Sequence, residues 1–246
     1  PYPIAIRLLF PKRPIKESCP AFGDRRQDPK EHWKAIEEHG FKAMAPCDIM
    51  DEHEEMDLPV QNGFHLDKDI VGKNYANYDS VLVLSHFKGH AMAGLGGALK
   101  NISIGIASTQ GKAYIHTAGV TTDAAELWSK LSPQDHFLES MADACQAIIA
   151  YKGAENMVYI NVANRLSVDC DCSANPAEPE MADLGIFASL DPVAVDQACY
   201  DAVLNSPDPG KKALIERMES KHGIHTVEAA AQLGLGNREY EIVSLD

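Results

Sequence analysis

The 246-residue chain is poor in positive charge. Its 22 lysines and arginines stand against 36 aspartates and glutamates, a formal net charge of −14. A surface of that sign repels phosphate backbones and argues against nucleic acid as a partner. Long apolar runs are missing too: none approaches the roughly 18 residues that would span a bilayer, so no membrane partner is expected. Internal repeats, low-complexity tracts and long linkers are absent. Cysteines are few and scattered, at Cys19, Cys47, Cys145, Cys170, Cys172 and Cys199. Only Cys170 and Cys172 are neighbours in sequence, and the spacings of a zinc ribbon or of a ferredoxin do not occur. No ferredoxin-type cluster is therefore expected within one chain. A chain of this length needs no disulfide scaffold, and reduced thiols in a cytoplasm are the simplest reading.

What is present describes a globular chain. The 45% hydrophobic and 24% charged content suit one large domain or two small ones. The opening "PYPIAIRLLFPKRPIK" is basic and apolar without a clean signal-peptide pattern, and reads as the stub of a processed or truncated longer chain. Arg25 and Arg26 form a solvated basic turn, or a clamp for a carboxylate or phosphate. The acidic run at 48–57 lacks the spacing of a calcium loop and reads as surface.

Helix ends are legible. Asp28-Pro29 with Glu31 opens a helix that Gly40 stops. Ser132-Pro133 opens a second, closed by Gly153, with Phe137, Met141, Ala144, Cys145, Ile148 and Ile149 at helical spacing. Asp191-Pro192 opens a third, a fourth covers about Lys211 to Lys221, and a short fifth follows Thr226 and ends near Gly234. The runs "SVLVLS" at 80–85, "ISIGIA" at 102–107 and "MVYINVA" at 157–163 read as buried strands, with "EIVSL" as an edge strand. The expected class is α/β, a mostly parallel sheet covered by helices on both faces. The loop at 118–132 is the expected seam if the chain has two lobes.

The segment "HFKGHAMAGLGGALKN", His86 to Asn101, concentrates special residues directly after a strand. Ligands of open α/β sheets bind beyond the carboxyl ends of strands. His86 and His90 lie four apart and His116 follows, and imidazole suits zinc, nickel and iron. Gly94, Gly96 and Gly97 allow close approach of backbone N–H groups to a ligand. Lys88, Lys100 and Lys112 stand out as cations in an acidic chain. Neither the P-loop nor the dinucleotide fingerprint is satisfied, because Leu99 occupies the critical position. The alternative is that the glycines serve strand–helix packing and the lysines are solvated. A second constellation, "SVDCDC", sets Cys170 and Cys172 around Asp171 after the strand "MVYINVA". Two thiolates cannot hold a standard cluster, but they can complete a mixed His/Cys site or remain inert thiols.

The segments "VLVLSHFKGHAMAGLGGALKNISIGIAS", "GKAYIHTAG", "VDCDC", "NPAEPEMADLGIFASLDPVAVDQACYD" and "GIHTVEAAAQLGLG" together resemble the uncharacterised iron–sulfur centre proteins, the domain-of-unknown-function family 362. The resemblance covers nearly all of the chain from about Gly23 and implies a single family domain over residues 1–246. Many relatives carry a ferredoxin-like insertion after the segment equivalent to "IHTAG", and a longer N-terminal part. Here that place holds "VTTDAAELWSKLSPQDHF", without cysteine, so the iron–sulfur name does not transfer. Locally, His90, Ala93-Gly94, Gly96-Gly97, Lys100 and His116 are similar in order to the lactate racemase family. There the lysine tethers a nickel-pincer nucleotide and the later histidine binds the metal.

The expectation that results is a sheet-end site for a divalent metal (nickel, zinc or iron) or a small anionic cofactor. His86, His90, His116, Cys170 and Cys172 are the candidate metal ligands. Lys88, Gly94, Gly96, Gly97, Lys100, Asn101 and Lys112 are the candidate cofactor-binding residues. If there is catalysis, Lys100 and His90 carry it. The alternative is a non-catalytic metal or redox carrier. The sequence leaves turnover and homo-oligomerisation open.

Overall fold

A computed structural model describes Ile15–Glu17, Arg26, and residues 28–173 and 175–245. Cys19 and Arg25 lie outside the described residues. β1 (Ile15–Glu17) pairs in parallel with β2 (Cys47–Ile49). Between them lie α1 (Pro29–Glu38) and the short α2 (Phe41–Met44). Asp28 caps α1 by accepting the Lys30 N–H at 2.8 Å, Pro29 occupies the first turn, and Gly40 turns the chain out at φ 77°. β3 (Glu55–Pro59) and β4 (Lys68–Gly72) form an antiparallel hairpin.

The elements that build the site follow. β5 (Val81–His86) leads into a tight antiparallel pair, β6 (Lys88–His90) and β7 (Gly94–Gly96), and then into α3 (Ala98–Ile106) and α4 (Thr109–His116). α5 (Gln134–Lys152) is the long central helix, with Phe137, Met141, Ala144, Cys145 and Ile148 buried at helical spacing. β8 (Met157–Ala163), β9 (Gly185–Ser189), α6 (Pro192–Asn205), α7 (Lys211–Ser220) and α8 (His225–Gln232) complete the chain.

The architecture is α/β, but the sheets are small and mostly antiparallel, which corrects the expected parallel sheet. The largest has three strands in the order β5-β8-β9, with β5 parallel and β9 antiparallel to β8. α3 and α6 cover the face that carries Val83, Ser85, Tyr159 and Asn161. On the other face Val158 and Ile186 are exposed, so the sheet is not buried on both faces as its apolar strands suggested. "ISIGIA" is not a strand. Ile102, Ser103 and Ile106 continue the buried stripe of Ala98 and Leu99 along α3, and a short apolar run does not reveal its period without such flanks. "EIVSL" forms no strand, and Ile242 and Val243 in it are exposed. The acidic run at 48–57 is partly structural: Asp48 accepts from Asn74 Nδ2 at 2.9 Å, and Ile49 and Met50 are buried. Among the described residues no helix is long and apolar enough to cross a membrane.

Candidate functional site

The glycine-rich segment folds as a β-hairpin rather than as a phosphate loop, and the cysteine loop is docked onto it. Phe87 N–H donates to the Val162 carbonyl at 3.0 Å, carrying the chain off the sheet. One step later Gly89 N–H donates to the Ser167 carbonyl at 2.8 Å. A Cβ at Gly89 would lie 2.3 Å from the Val168 oxygen, so only glycine permits this approach. The loop from Ser167 onward is tied down internally. Asp169 pairs with Arg217 Nη1 at 3.1 Å and accepts the Ala177 N–H at 3.1 Å, while Ser167 Oγ donates to the Ala177 carbonyl at 2.6 Å. This docking brings His90, Cys170 and Cys172 together, with their ligand atoms all within 4.8 Å of one another.

The electrostatics of the group favour a thiolate at Cys170. Cys172 hydrogen-bonds it, and Lys100, His90 and Lys88 add to that effect; together they outweigh burial and hold the Cys170 thiol far below its ordinary range. Cys172 is pushed up correspondingly, because its proton is held in the bond to Cys170 and its surroundings are partly buried. Burial, with Lys100 and Lys88, lowers the pKa of His90. Its Nδ1 accepts the N–H groups of Met92 at 3.1 Å and Ala93 at 2.9 Å. The neutral ring therefore carries its proton on Nε2 and donates toward the Cys170 sulfur.

The other candidate residues divide by position. Lys88 is buried beneath the hairpin, donating to the His86 carbonyl at 3.1 Å and pairing with Asp171 at 3.2 Å. A Cβ at Gly96 would meet the end of the Lys88 side chain at ordinary contact distance, 3.7 Å from Nζ. Lys100 is half-buried on the first turn of α3 and acts electrostatically on both cysteines; among the described residues its ammonium has no hydrogen-bond or ion-pair partner. His86 lies beside this group with both nitrogens engaged, Nδ1 with Asp171 at 2.9 Å and Nε2 with the Asn164 carbonyl at 2.6 Å. Both ring nitrogens thus face acceptors of the protein itself.

His116 donates from Nδ1 to the Lys112 carbonyl at 2.6 Å and stacks on Phe137. Burial lowers its pKa to about 4. It lines a cavity of about 220 Å³ with Met92, Trp128, Leu131 and Gln134, and is not part of the His90–Cys170–Cys172 group. Lys112 turns into the core, where its ammonium bonds the Ala107 carbonyl beside the buried Asp69. Asn101 Nδ2 bridges the Leu84 carbonyl and Ser85 Oγ, each at 3.0 Å, fastening α3 to β5. Gly94 adopts φ 77° and packs on Gly223.

The sequence reading missed three residues that build the site. Gly89 is one, and Asp171, which joins His86 to Lys88, is another. The third is Asp196 on α6, whose carboxylate accepts from Ala98 N–H at 2.7 Å, Leu99 N–H at 3.0 Å and Asn161 Nδ2 at 2.7 Å. The anion that the α3 N-terminus attracts is thus the protein's own. Asp196 is 98 positions away from Ala98, and no local pattern announces such a pairing.

Among the described residues the remaining cysteines are elsewhere. Cys145 donates to the Leu99 carbonyl inside the core, Cys199 accepts from Asn161, and Cys47 lies on β2. Among the described residues the donor set around Cys170 holds two cysteine sulfurs, Cys170 and Cys172. No curated protein matched the chain. The model of the family described as a domain of unknown function (DUF362) matches residues 13–201, and the chain belongs to that family.

Proposed function

We propose that the Cys170 loop holds a divalent transition metal, with an anionic small molecule as its exchangeable partner ligand. The observation that carries this reading is the meeting of His90, Cys170 and Cys172, their ligand atoms within 4.8 Å of one another, with Lys100 and Lys88 acting electrostatically on Cys170. Thiolate donors select zinc, nickel or iron over magnesium and calcium. Cys170 and Cys172 are the chain's ligands. His90, with its proton on Nε2, donates to the Cys170 sulfur and tunes it, which is how outer-shell groups act on thiolate sites.

Two protein ligands leave coordination positions open, and open positions mark exchange or catalysis rather than a closed structural site. Lys100 and the partly neutralised Lys88 provide the positive charge that a carboxylate or phosphate on the metal requires. A metal held there would act as a Lewis acid toward that ligand. The chain's own residues orient the anion and neutralise it, and the docked loop limits water on the buried side of Cys170. In this reading Lys100 is the catalytic cation if substrate is turned over, and the retention device if the protein is a carrier.

Anaerobic purification followed by metal analysis and native mass spectrometry tests the proposal. The expected result is thiolate-bound metal that Cys170→Ser removes, with thiolate-to-metal charge transfer on Co²⁺ substitution. No charge-transfer band in the Co²⁺-loaded wild type would overturn it.

A further inference from the structure

A second histidine-rich constellation lies on the first turns of α5, and none of its residues belongs to the Cys170 group. His65, from the loop between β3 and β4, meets His136 and Glu139 of α5, and their ligand atoms all lie within 4.8 Å of one another. We propose that these three residues bind a second divalent transition ion, of the zinc, nickel or copper(II) class. Two imidazoles and one carboxylate suit such borderline ions, whereas calcium and magnesium prefer oxygen ligands alone.

The constellation is built rather than accidental. Asp143, fully buried one turn along α5 from Glu139, accepts the backbone N–H groups of Phe64, His65 and Leu66 at 2.8, 2.8 and 2.9 Å. Those three bonds clamp the loop and aim His65 at the helix. Its ring packs on that of His136 with centroids 4.3 Å apart. The two oxygens of Glu139 are divided: Oε2 meets His65 Nε2 at 2.5 Å, and Oε1 meets His225 Nε2 at 3.0 Å. His225 in turn stacks on His222, which reaches Asp135 at 2.9 Å. Glu139 is therefore held from its far side, as ligating carboxylates are, which makes His225 a positioning residue.

Metal bonds of about 2.0–2.2 Å in a tetrahedral site place adjacent ligand atoms roughly 3.3–3.5 Å apart. The His65–Glu139 pair need open only by about 1 Å, and the ion then occupies the place of the proton the two share. His136 is exposed, so the remaining position faces water. Asp135 and Glu228 pair with His222 and His225, the histidines behind Glu139. The bound ion would staple the β3–β4 loop to α5, two segments more than 70 positions apart.

The test uses the full chain carrying Cys170→Ser and Cys172→Ser, stripped with chelator and titrated calorimetrically with Zn²⁺ alone. The expected result is one equivalent bound per chain. His136→Ala, whose side chain makes no hydrogen bond among the described residues, should weaken binding at least about tenfold while the circular dichroism spectrum is retained. Zinc should raise the melting temperature of the cysteine variant and not of its His136→Ala derivative. His225→Ala should cost less than His136→Ala. Absence of zinc binding in the cysteine variant, or unchanged affinity in the His136→Ala derivative, overturns the proposal. Either result leaves the Cys170 reading untouched, because that is measured by charge transfer in the chain with both cysteines present.

Discussion

Asp196 and Gly97 are in near contact: a Cβ on Gly97 would lie 2.4 Å from Asp196 Oδ1. The glycine-rich turn exists so that a buried carboxylate can reach the first N–H groups of α3. Burial raises the pKa of that carboxylate to about 6, and its hydrogen bonds with Asn161, Leu99 and Ala98 oppose the rise. Asp196→Ala should therefore destabilise the protein by about 3 kcal/mol, since it strands buried donors as well as losing a cap. Urea unfolding should show a lower midpoint at unchanged slope. An unchanged midpoint would remove Asp196 from the framework of the site.

Lys100 and Lys112 should behave oppositely. The Lys100 ammonium lacks a partner among the described residues, so Lys100→Met should alter stability by no more than about 0.5 kcal/mol. It should nevertheless abolish retention of the anionic ligand. Lys112 is bonded to the Ala107 carbonyl and faces Asp69 in the core. Lys112→Met should cost about 1–3 kcal/mol by leaving buried polar groups without their partner. Thermal melts beside native mass spectrometry separate the two roles.

Gly89 and Gly96 offer a similar contrast within one hairpin. Gly89→Ala drives a methyl group into the Val168 backbone, whereas the same change at Gly96 meets only Lys88 Nζ, at 3.7 Å. The first should undock the cysteine loop, lose the thiolate–Co²⁺ charge-transfer band and destabilise by about 1–3 kcal/mol. The second should keep the fold and the band. Equal behaviour of the two variants would mean the docked loop is not what assembles the site.

His116 makes the pH prediction. Its folded-state pKa of about 4 lies below the ordinary histidine value of 6.5 because burial disfavours the charged ring. Between those values the unfolded chain binds more protons, so this group's contribution rises with pH from about 4 to about 6.5 and is lost on acidification through that window. The stability difference between the wild type and His116→Gln should widen over that range and level off above it. A difference independent of pH would show that His116 is not buried as a neutral ring.

Helix ends were legible in the sequence because they are local. Asp28-Pro29 and Asp191-Pro192 each announced a start through a side-chain cap and the fixed φ of proline; Ser132-Pro133 marked the start of α5 through proline alone, with Pro133 at the N-cap and no side-chain cap bond. The residue types of the Cys170 site were legible too, since His90, Lys88, Lys100, Cys170 and Cys172 fall in two short segments of unusual composition. Their company was not. Whether Lys112 faces a ligand or the core, and whether both His86 nitrogens are taken, depend on residues such as Asp69, Asp171 and Asn164 that reach them only after folding. "ISIGIA" reads as a strand from its apolar run alone, and it is a helix because α3 packs its stripe onto β5 and α6. The glycines fitted a ligand loop as well as a packing device, and the choice was made by one carboxylate from α6. Capping and backbone geometry act over a few residues and can be read along the chain. Side-chain partnerships are set by burial across distant segments, and only the tertiary structure decides them.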